Sequence, residues 1–406
     1  MNIEQIRSDF PVLNRKINGK KIIYLDNAAT SLKPKQVIDA ERNYYENVGA
    51  NVHRGLHILS EEASREHEES HAQVAKFVGA KKEETVFVRN ATEAMNLIMY
   101  SLSNSNFFKK GDKIVVSKME HHSNIVPWQY LEKKLGVKLE FVGLNEDYTL
   151  DMDDFEEKVK GAKLVSMSGA SNTVASLPDI HTIEKLSHKE GALVHIDGAQ
   201  LVPHHEVNFS SLGIDFLSFS GHKMLAPTGT GALIAKKNLL EKFEPFMFGG
   251  DMIHSVEWHS SKWNTLPNKF EAGTPNIAGS YGMRAAVDYL RKIGMGNIAR
   301  TEEKLTKVAL EEMQKIPSVE LYCPKNEKKQ GGIVMFGSTK LSAHELAMAL
   351  SESENICIRS GMHCAEPLVS SLNKEGLARA SFYLYNTEEE VTFFARTLKE
   401  VLNTFG

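Results

Sequence analysis

This chain of 406 residues has no long apolar segment and no excess of basic residues. No stretch is long enough to span a bilayer, and the first ten residues lack the apolar core of a signal peptide. We therefore expect neither a membrane protein nor a secreted one. The net charge of −4 argues against binding to nucleic acids or to anionic membrane surfaces.

The chain has only three cysteines, Cys323, Cys357 and Cys364, which is an odd number. Such a set argues against a disulfide framework and for a reducing compartment, so we expect a cytoplasmic protein. It also leaves one cysteine free for chemistry. The sequence lacks the close Cys and His spacing of a structural zinc site, and we expect no metal.

The composition is that of an ordinary globular protein, with 42% hydrophobic and 25% charged residues. A chain of this length exceeds the usual size of a single hydrophobic core, so we expect two domains. We predict an N-terminal segment (1–20) that packs with the small domain, a large α/β domain (21–290), and a small α+β domain (291–406).

Short β-rich runs alternate with helical stretches between about residues 21 and 236, which predicts βαβ units and a mostly parallel sheet. The clearest strands are 85–88, 113–117 and 163–167, and the clearest helices are 92–102 and 180–190. Beyond them, the pattern predicts a long helical region at 278–316 and strands at 332–336 and 355–358. The charge-dense run 61–71 predicts a helix with a solvated face.

Two buried strands are predicted at 192–196 and 214–219, and a polar turn follows each. Asp197 lies at the end of the first strand, and Lys223 lies just beyond the second. Ligands on parallel sheets bind at the carboxyl ends of the strands. A lysine there can hold pyridoxal phosphate (PLP) as a Schiff base, and a carboxylate can keep the pyridine nitrogen protonated. Either residue alone is more simply a surface residue, but together they favour a PLP site.

A PLP site also needs donors for the phosphate. The strand 85–88 leads into Asn90 and Thr92, which can begin a helix whose N–H groups suit an anion, although an ordinary helix cap is the simpler interpretation of this segment alone. Ser220 and His222, beside the lysine, can donate to the same phosphate.

An imidazole is available at the same predicted edge of the sheet. His121 lies in Glu120-His121-His122-Ser123-Asn124, directly after the strand 113–117. A flat imidazole there can stack on the pyridine ring or act as a general acid or base. A His-His pair elsewhere is more often structural or metal-directed.

Seven motifs occur together in an order that resembles the SUF-type cysteine desulfurases, which belong to the class V aminotransferase group of PLP enzymes. They are Leu25-Asp26-Asn27-Ala28-Ala29-Thr30, His53-Arg54-Gly55, Glu120 to Trp128, Asp197-Gly198-Ala199-Gln200, Ser220-Gly221-His222-Lys223, Phe270 to Asn276, and Arg359 to Ala365. The resemblance covers essentially the whole chain. It implies the PLP-dependent aminotransferase-like fold (fold type I), with a large α/β domain and a smaller α+β domain.

The resemblance also implies roles for individual residues around the cofactor. Lys223 would hold PLP and move the substrate Cα proton, Asp197 would pair with the ring nitrogen, and His121 would stack on the ring. Gln200 would contact the ring hydroxyl. The phosphate would be held by Thr92, Ser220 and His222, with Thr274 reaching across from the partner subunit of a homodimer.

For the substrate, L-cysteine, the resemblance implies a carboxylate site at Asn172 and Arg379, with Asn172 also contacting the cofactor. Arg359 and His53 would lie close to the substrate. Cys364 would accept the sulfur as a persulfide and pass it to an acceptor protein of the SUF system for iron–sulfur cluster assembly.

The residues around Cys364 support that role independently. Cys364 follows a predicted strand and a turn and is flanked by Arg359 and His363. Positive neighbours and partial exposure favour the thiolate. Cys357 lies within an apolar run and Cys323 in a polar stretch without a cationic neighbour, so both are interpreted as structural.

Met362 departs from the resemblance, because a histidine often precedes His363 in this family. The methionine removes a titratable group beside the nucleophile. Independently of it, two other functions stay open: a selenocysteine lyase acting on L-selenocysteine, or another class V PLP transaminase that would not need Cys364. A non-enzymatic metal-binding scaffold is a distant third, and it predicts no PLP chromophore.

Overall fold

The computed structural model describes residues 2–406, except for the side chain of residue 328. The helices are α1 Ile3–Ser8, α2 Lys35–Asn43, α3 Ile58–Phe77, α4 Ala91–Asn104, α5 Val126–Leu135, α6 Met152–Lys158, α7 Ile180–Lys189, α8 Phe209–Leu212, α9 Lys237–Lys242, α10 Ile277–Ile293, α11 Met295–Met313, α12 Ala343–Glu354, α13 Glu366–Leu372 and α14 Glu388–Phe405. The strands are β1 Lys16–Ile17, β2 Lys20–Lys21, β3 Ile23–Tyr24, β4 Thr85–Val88, β5 Lys113–Ser117, β6 Lys138–Val142, β7 Ala162–Ser168, β8 Leu193–Asp197, β9 Phe216–Ser220, β10 Gly231–Ala235, β11 Ile253–Val256, β12 Ser261–Trp263, β13 Val319–Leu321, β14 Ile333–Ser338, β15 Ile356–Cys357, β16 Arg359–Gly361 and β17 Leu377–Ser381.

A seven-stranded sheet in the order β4-β10-β9-β8-β7-β5-β6 forms the centre of the larger part of the chain. The strands β6, β5, β7, β8 and β9 pair in parallel, whereas β10 pairs antiparallel with both β9 and β4. The strands β9 and β10 are buried along their whole length, as expected for a sheet covered on both faces. The predicted mostly parallel sheet is confirmed.

The carboxyl ends of four strands meet at one edge of this sheet. Because β10 is antiparallel to both of its neighbours, β4 runs in the same direction as β9, and therefore as β8 and β5. Strand β4 leads into α4, β5 leads toward His121, and β8 and β9 end at Asp197 and Ser220. The sheet topology therefore places the predicted site segments, which follow these four strands, at the same edge of the sheet.

A smaller antiparallel sheet in the order β13-β14-β17-β16 packs with α11, α12 and α14. The hydrophobic core around this sheet consists mainly of residues that lie between Leu305 and Leu402 in the sequence. It also includes Leu25, Ala28 and Ala175. The predicted mixture of strands and helices in the tail is confirmed.

The strand predicted at 355–358 is confirmed as β15, but the sequence did not predict the separate strand β16 that follows it. Strand β15 pairs in parallel with β3, near the start of the chain, while Arg359–Gly361 forms β16 and pairs with β17 in the smaller sheet. The apolar pattern shows that this segment is extended. It does not show that the chain moves from one sheet to another at Ile358.

Two helix predictions are confirmed in part. The helical region 278–316 is interrupted at Gly294, whose φ of +88° ends α10 before α11 begins. The charge-dense run does form a helix, α3, and Glu61 and Arg65 are exposed on its solvated face, but His67 and His71 on another face are only 1% and 3% exposed.

The N-terminal segment contacts the last helix. The Arg7 guanidinium donates to Glu390 over 2.7 Å and to the Tyr385 carbonyl over 2.6 Å. The ring of Phe10 packs against Tyr289 of α10 and Tyr385. Across residues 2–406, no helix combines the length and the apolar character needed to cross a membrane.

Candidate active site

A cavity of about 220 Å³ lies at the carboxyl edge of the large sheet, against the smaller one. Eleven of the predicted site residues line it: Thr92, His121, Asn172, Asp197, Gln200, Ser220, His222, Lys223, Arg359, Cys364 and Arg379. Two others do not. Thr274 lines a second cavity, and His53 lies with its Nε2 3.3 Å from a carboxylate oxygen of Glu68.

Lys223 and Asp197 form the acid–amine pair of the cavity. Burial lowers the pKa of Lys223 to about 8, although the Asp197 carboxylate opposes that shift. Burial raises the pKa of Asp197, while the Ala199 N–H, which donates to its Oδ1 over 2.9 Å, and Lys223 favour the ionised form. A buried carboxylate facing a cationic partner is the group that a pyridinium nitrogen requires.

The start of α4 forms an anion-binding corner. Asn90 caps the helix by accepting from the Glu93 N–H over 3.0 Å, and Ser220 Oγ accepts from the Ala91 N–H over 2.9 Å. Thr92 Oγ1 lies 2.6 Å from Ser123 Oγ. The helix start and these hydroxyls suit a phosphate group. Ser123 was missed as a site residue, although it lies within the Glu-His-His-Ser-Asn motif.

His121 is a neutral imidazole in a defined tautomer. Burial and Lys223 lower its pKa to about 3. Its Nδ1 accepts from the backbone N–H of Ser123 over 3.1 Å, so the single proton of the neutral ring resides on Nε2. The ring is therefore available for stacking or for proton donation from Nε2.

Gln200 presents a buried acceptor without a partner. Its Nε2 donates to the Ala28 carbonyl over 2.7 Å, whereas its Oε1 has no hydrogen-bond partner among the described residues. A buried polar atom of this kind is costly unless a ligand satisfies it. The hydroxyl of PLP is a matching donor, so this orphaned oxygen, together with the acid–amine pair and the anion corner, fits the predicted cofactor.

Arg379 is held in place by two contacts, but not all of its N–H donors have a partner among the described residues. Its Nη1 donates to the Asn172 carbonyl over 2.7 Å, and its Nη2 lies 3.4 Å from Asp26 Oδ1. Its Nε is buried without a partner among the described residues. Burial lowers the pKa of Arg379 to about 10, which leaves it cationic. These features suit a guanidinium that receives a substrate carboxylate.

Asp26 links the two arginines of the site. Its other oxygen, Oδ2, lies 4.0 Å from Arg359 Nη1. Burial raises the pKa of Asp26, while both arginines oppose that shift. Asp26 was missed as a site residue, although it stands in the first of the seven motifs.

The Cys364 loop is fixed by three hydrogen bonds to the larger part of the chain. The Asn172 side-chain amide donates to the His363 carbonyl over 2.8 Å, and the His122 N–H donates to the Cys364 carbonyl over 2.7 Å. The Glu366 N–H donates to His122 Nε2 over 2.9 Å. The Cys364 thiol belongs to an exposed residue that lines the cavity.

His363 does not supply positive charge to this thiol. It is 5% exposed, its Nε2 bonds to the Leu377 carbonyl at 2.8 Å, and burial lowers its pKa to about 3. The expected cationic influence of His363 is therefore wrong, because the ring is buried and neutral. Arg359 and Arg379 are the cations of this part of the cavity.

The other cysteines lack the exposure of Cys364. Cys323 is buried, and burial raises its pKa to about 12. Cys357 is half-buried, and its pKa is raised by burial and by Asp26. Both thiols are thereby kept in the protonated form, which is the weaker nucleophile.

Comparison with known proteins gives full-length matches. The family model described as "Aminotransferase class-V" matches residues 23–394. A cysteine desulfurase from Haloferax volcanii is 41% identical over 406 residues, covering 96% of this chain and 95% of the relative. The apo structure of a cysteine desulfurase from Thermococcus onnurineus NA1 is 43% identical, with a TM-score of 0.94 and 98% of each chain covered. The Escherichia coli cysteine desulfurase CsdA is 31% identical, with a TM-score of 0.91 and 100% of each chain covered.

Proposed function

Because this chain belongs to the class-V aminotransferase family, and within it to the cysteine desulfurases, we propose that it is a SUF-type enzyme that converts L-cysteine to L-alanine and takes the sulfur onto Cys364. The observation that carries this proposal is that Cys364 lines the same cavity as Lys223 and Asp197. A transaminase would need the lysine and the acid but not the thiol.

The residues that would hold PLP come from the segments at the carboxyl edge of the large sheet. Asp197 would pair with the ring nitrogen, His121 would stack on the ring, and Gln200 Oε1 would accept from the ring hydroxyl. The phosphate would be held at the start of α4 by Thr92, Ser220 and His222. Bound PLP supplies an electron sink that stabilises negative charge at the substrate Cα.

Lys223 would anchor the cofactor and then move a proton. Because burial lowers the pKa of Lys223 to about 8, a substantial fraction of this amine is neutral at slightly alkaline pH. A neutral Nζ can accept the Cα proton of the substrate, and a general base works best when its pKa lies near the working pH.

Arg379 and Asn172 would orient the substrate carboxylate. The Nε–H of Arg379 has no partner among the described residues, and each terminal nitrogen keeps a second N–H beside the one directed to Asn172 or Asp26. Arg359 lies on the same side of the cavity and adds a second positive charge.

The Cys364 thiolate would attack the substrate sulfur. A sulfur–sulfur bond forms, the carbon–sulfur bond breaks, and Cβ takes up a proton to become the methyl group of alanine. Lys223, which would carry the proton taken from Cα, would be the proton source for this step, and His121 would assist as a hydrogen-bond donor from Nε2. Because Cys364 is exposed, its persulfide can be reached by an acceptor protein, and we propose an acceptor of the SUF system for iron–sulfur cluster assembly.

We also propose a homodimer, with the chain divided into the segments 1–20, 21–290 and 291–406. Thr274 and His53 stand outside the cavity of their own subunit, so their proposed contacts with cofactor and substrate need a partner subunit. Mixing Lys223→Ala and Thr274→Ala subunits tests this arrangement. One site of the mixed dimer would be complete, so activity should exceed that of either variant. A Lys223→Ala and Cys364→Ala mixture, which completes neither site, should stay inactive.

The desulfurase proposal is tested with Cys364→Ala and Cys364→Ser. We expect the PLP spectrum to be kept and alanine release from L-cysteine to be lost. Alanine release from L-selenocysteine that persists in these variants would indicate a lyase as well. Unchanged activity on L-cysteine would overturn the role given to Cys364.

A further inference from the structure

We propose that His67, His71 and Glu271 form a binding site for a divalent metal ion of the zinc class. The site is separate from the active-site cavity, and the proposal does not rest on the proposed function. The one nitrogen or oxygen atom that each residue would offer lies within 4.8 Å of the other two.

The cluster is built from two segments far apart in the chain. His67 and His71 are four residues apart on α3 and therefore lie on one face of that helix. Glu271 lies between β12 and α10, on the segment that faces α3. Both histidines are buried. Two imidazoles and a carboxylate are a common ligand set for zinc.

Hydrogen bonding fixes the tautomer of His67. Ser280 Oγ donates its proton to the Ile277 carbonyl over 2.7 Å, so at 3.0 Å from His67 Nδ1 it must accept. The proton of the neutral ring is therefore on Nδ1, and Nε2 carries a free lone pair. His67 Nε2 is buried and has no partner among the described residues.

His71 is oriented in the manner typical of a metal ligand. Its Nδ1 donates to the His67 carbonyl over 3.1 Å, and this bond directs Nε2 toward Glu271. The distances from Nε2 to the two carboxylate oxygens are 2.9 and 3.2 Å. The Phe87 N–H donates to Glu271 Oε1 over 2.6 Å, and the Phe87 ring stacks on His71 at 3.7 Å. His71 and Glu271 are thus held in place by hydrogen bonds with backbone groups and by packing against Phe87.

His71 Nε2 and the nearer Glu271 oxygen are 2.9 Å apart, so either a proton or a metal ion lies between them. When the His71 proton is on Nδ1, Nε2 and the carboxylate are both acceptors and can approach only if a second proton or a metal ion joins them. A metal ion would release that proton to solvent and would also satisfy the free lone pair of His67. His53 and Lys82 are the other ionisable groups that interact with His67, and His53 also interacts with His71 and with Asp251.

Space and access are available beside the cluster. A second cavity of about 480 Å³ is lined by His67 and Glu271, so water can supply the fourth ligand. In a tetrahedral site with bonds of about 2.0–2.1 Å, neighbouring ligand atoms are roughly 3.3 Å apart. Modest side-chain rotations would bring the three atoms to that spacing. The metal would tie α3 to the segment that leads from Glu271 to Thr274.

The test is zinc titration of the holoenzyme by calorimetry, in a Cys364→Ser background that removes the reactive thiol. We expect one equivalent of Zn²⁺ to bind and to raise the melting temperature. Loss of a residue that only orients a metal ligand typically lowers the metal affinity 10- to 100-fold. Because His67 would be a ligand itself, His67→Gln should lower the zinc affinity by more than that. His254→Gln, at an exposed position on β11, should leave the affinity unchanged.

His71→Arg provides an independent variant, because it keeps a cation opposite Glu271 but cannot ligate the metal. The PLP spectrum and the melting temperature without zinc report whether each variant is folded. Zinc affinity unchanged in either folded variant would overturn the proposal. It would equally be overturned if the Cys364→Ser holoenzyme bound no zinc, since the cluster would then be only an ion pair.

Discussion

The side-chain amide of Asn172 donates to the backbone carbonyl of His363 over 2.8 Å, and so connects the pocket wall to the loop that carries the reactive cysteine. The carbonyl of the same Asn172 accepts from Arg379. One residue therefore positions both the thiol of Cys364 and the guanidinium that would receive the substrate.

Replacing Asn172 by Ala should loosen this loop. The buried His363 carbonyl would lose its partner, which typically costs about 1–3 kcal/mol. We expect alanine release to slow by at least about tenfold while the PLP spectrum is kept. Hydrogen exchange of the loop amides should become faster. Asn297→Ala, on the exposed face of α11, is the control, and a loop with unchanged exchange in Asn172→Ala would contradict this interpretation.

Arg379→Lys should mainly affect substrate binding. A lysine lacks the planar fork that here serves Asn172 and Asp26 and that would also serve the proposed substrate carboxylate. Since a hydrogen bond to a charged group contributes about 1.5–3 kcal/mol, we expect KM for L-cysteine to rise by roughly 10- to 100-fold, with a smaller change in kcat. Arg359→Lys, at a more exposed position, should have the weaker effect. A larger effect from Arg359 would reverse the assignment.

Attachment of PLP to the apoprotein should depend on pH in a defined direction. Only the neutral amine reacts, so the rate should rise with pH and reach half its maximum near pH 8, where burial places the pKa of Lys223. The Asp197 carboxylate raises that pKa, so Asp197→Asn should move the midpoint to lower pH. Borohydride trapping of attached PLP measures the rate. Asp179→Asn, on the surface, is the control, and a midpoint that moved upward in Asp197→Asn would refute the argument.

Gly221→Ala should disturb the turn that presents Lys223. A Cβ at this position would collide with Thr230 Oγ1 and lie 3.1 Å from the Ala226 Cβ. Overpacking of this kind costs about 1–3 kcal/mol, so the melting temperature and the PLP occupancy should both fall. Gly249→Ala is a matched control, because a Cβ there meets nothing within 4 Å. Equal effects of the two substitutions would show that crowding is not the cause.

One equivalent of iodoacetamide should modify Cys364 before the other cysteines. Cys364 is exposed, whereas burial raises the pKa of both Cys323 and Cys357. We expect alanine release from L-cysteine to be lost in proportion to the labelling of Cys364, as measured by peptide mass spectrometry. Activity that survived complete labelling of Cys364 would exclude its proposed role.

The sequence predicted what depends on local pattern and on the order of strands. Asp197 and Lys223 could be placed together because consecutive parallel strands end at one edge, and the pairing of β8 with β9 confirms this. The cysteine desulfurase function and the PLP cofactor, expected from the motifs, are confirmed by the family matches. The assigned roles of the individual site residues stay predictions.

Contacts between distant segments could not be predicted in this way. Asp26 meets Arg379 across 353 positions of the chain, and His71 meets Glu271 across 200. The hydrophobic periodicity of a segment does not indicate which distant residues it contacts. The buried state of His71 was missed for the same reason, because its neighbours on α3 are charged and the segment that covers it lies far along the chain.

His363 and Cys364 have φ angles of +50° and +56°, the left-handed region that residues with a Cβ seldom adopt. Holding a residue there costs on the order of 1–3 kcal/mol. The isolated peptide would therefore spend most of its time in other conformations. Grafting these residues onto another scaffold would transfer the thiol but not its direction, because the surrounding contacts, and not the loop itself, determine where the sulfur points.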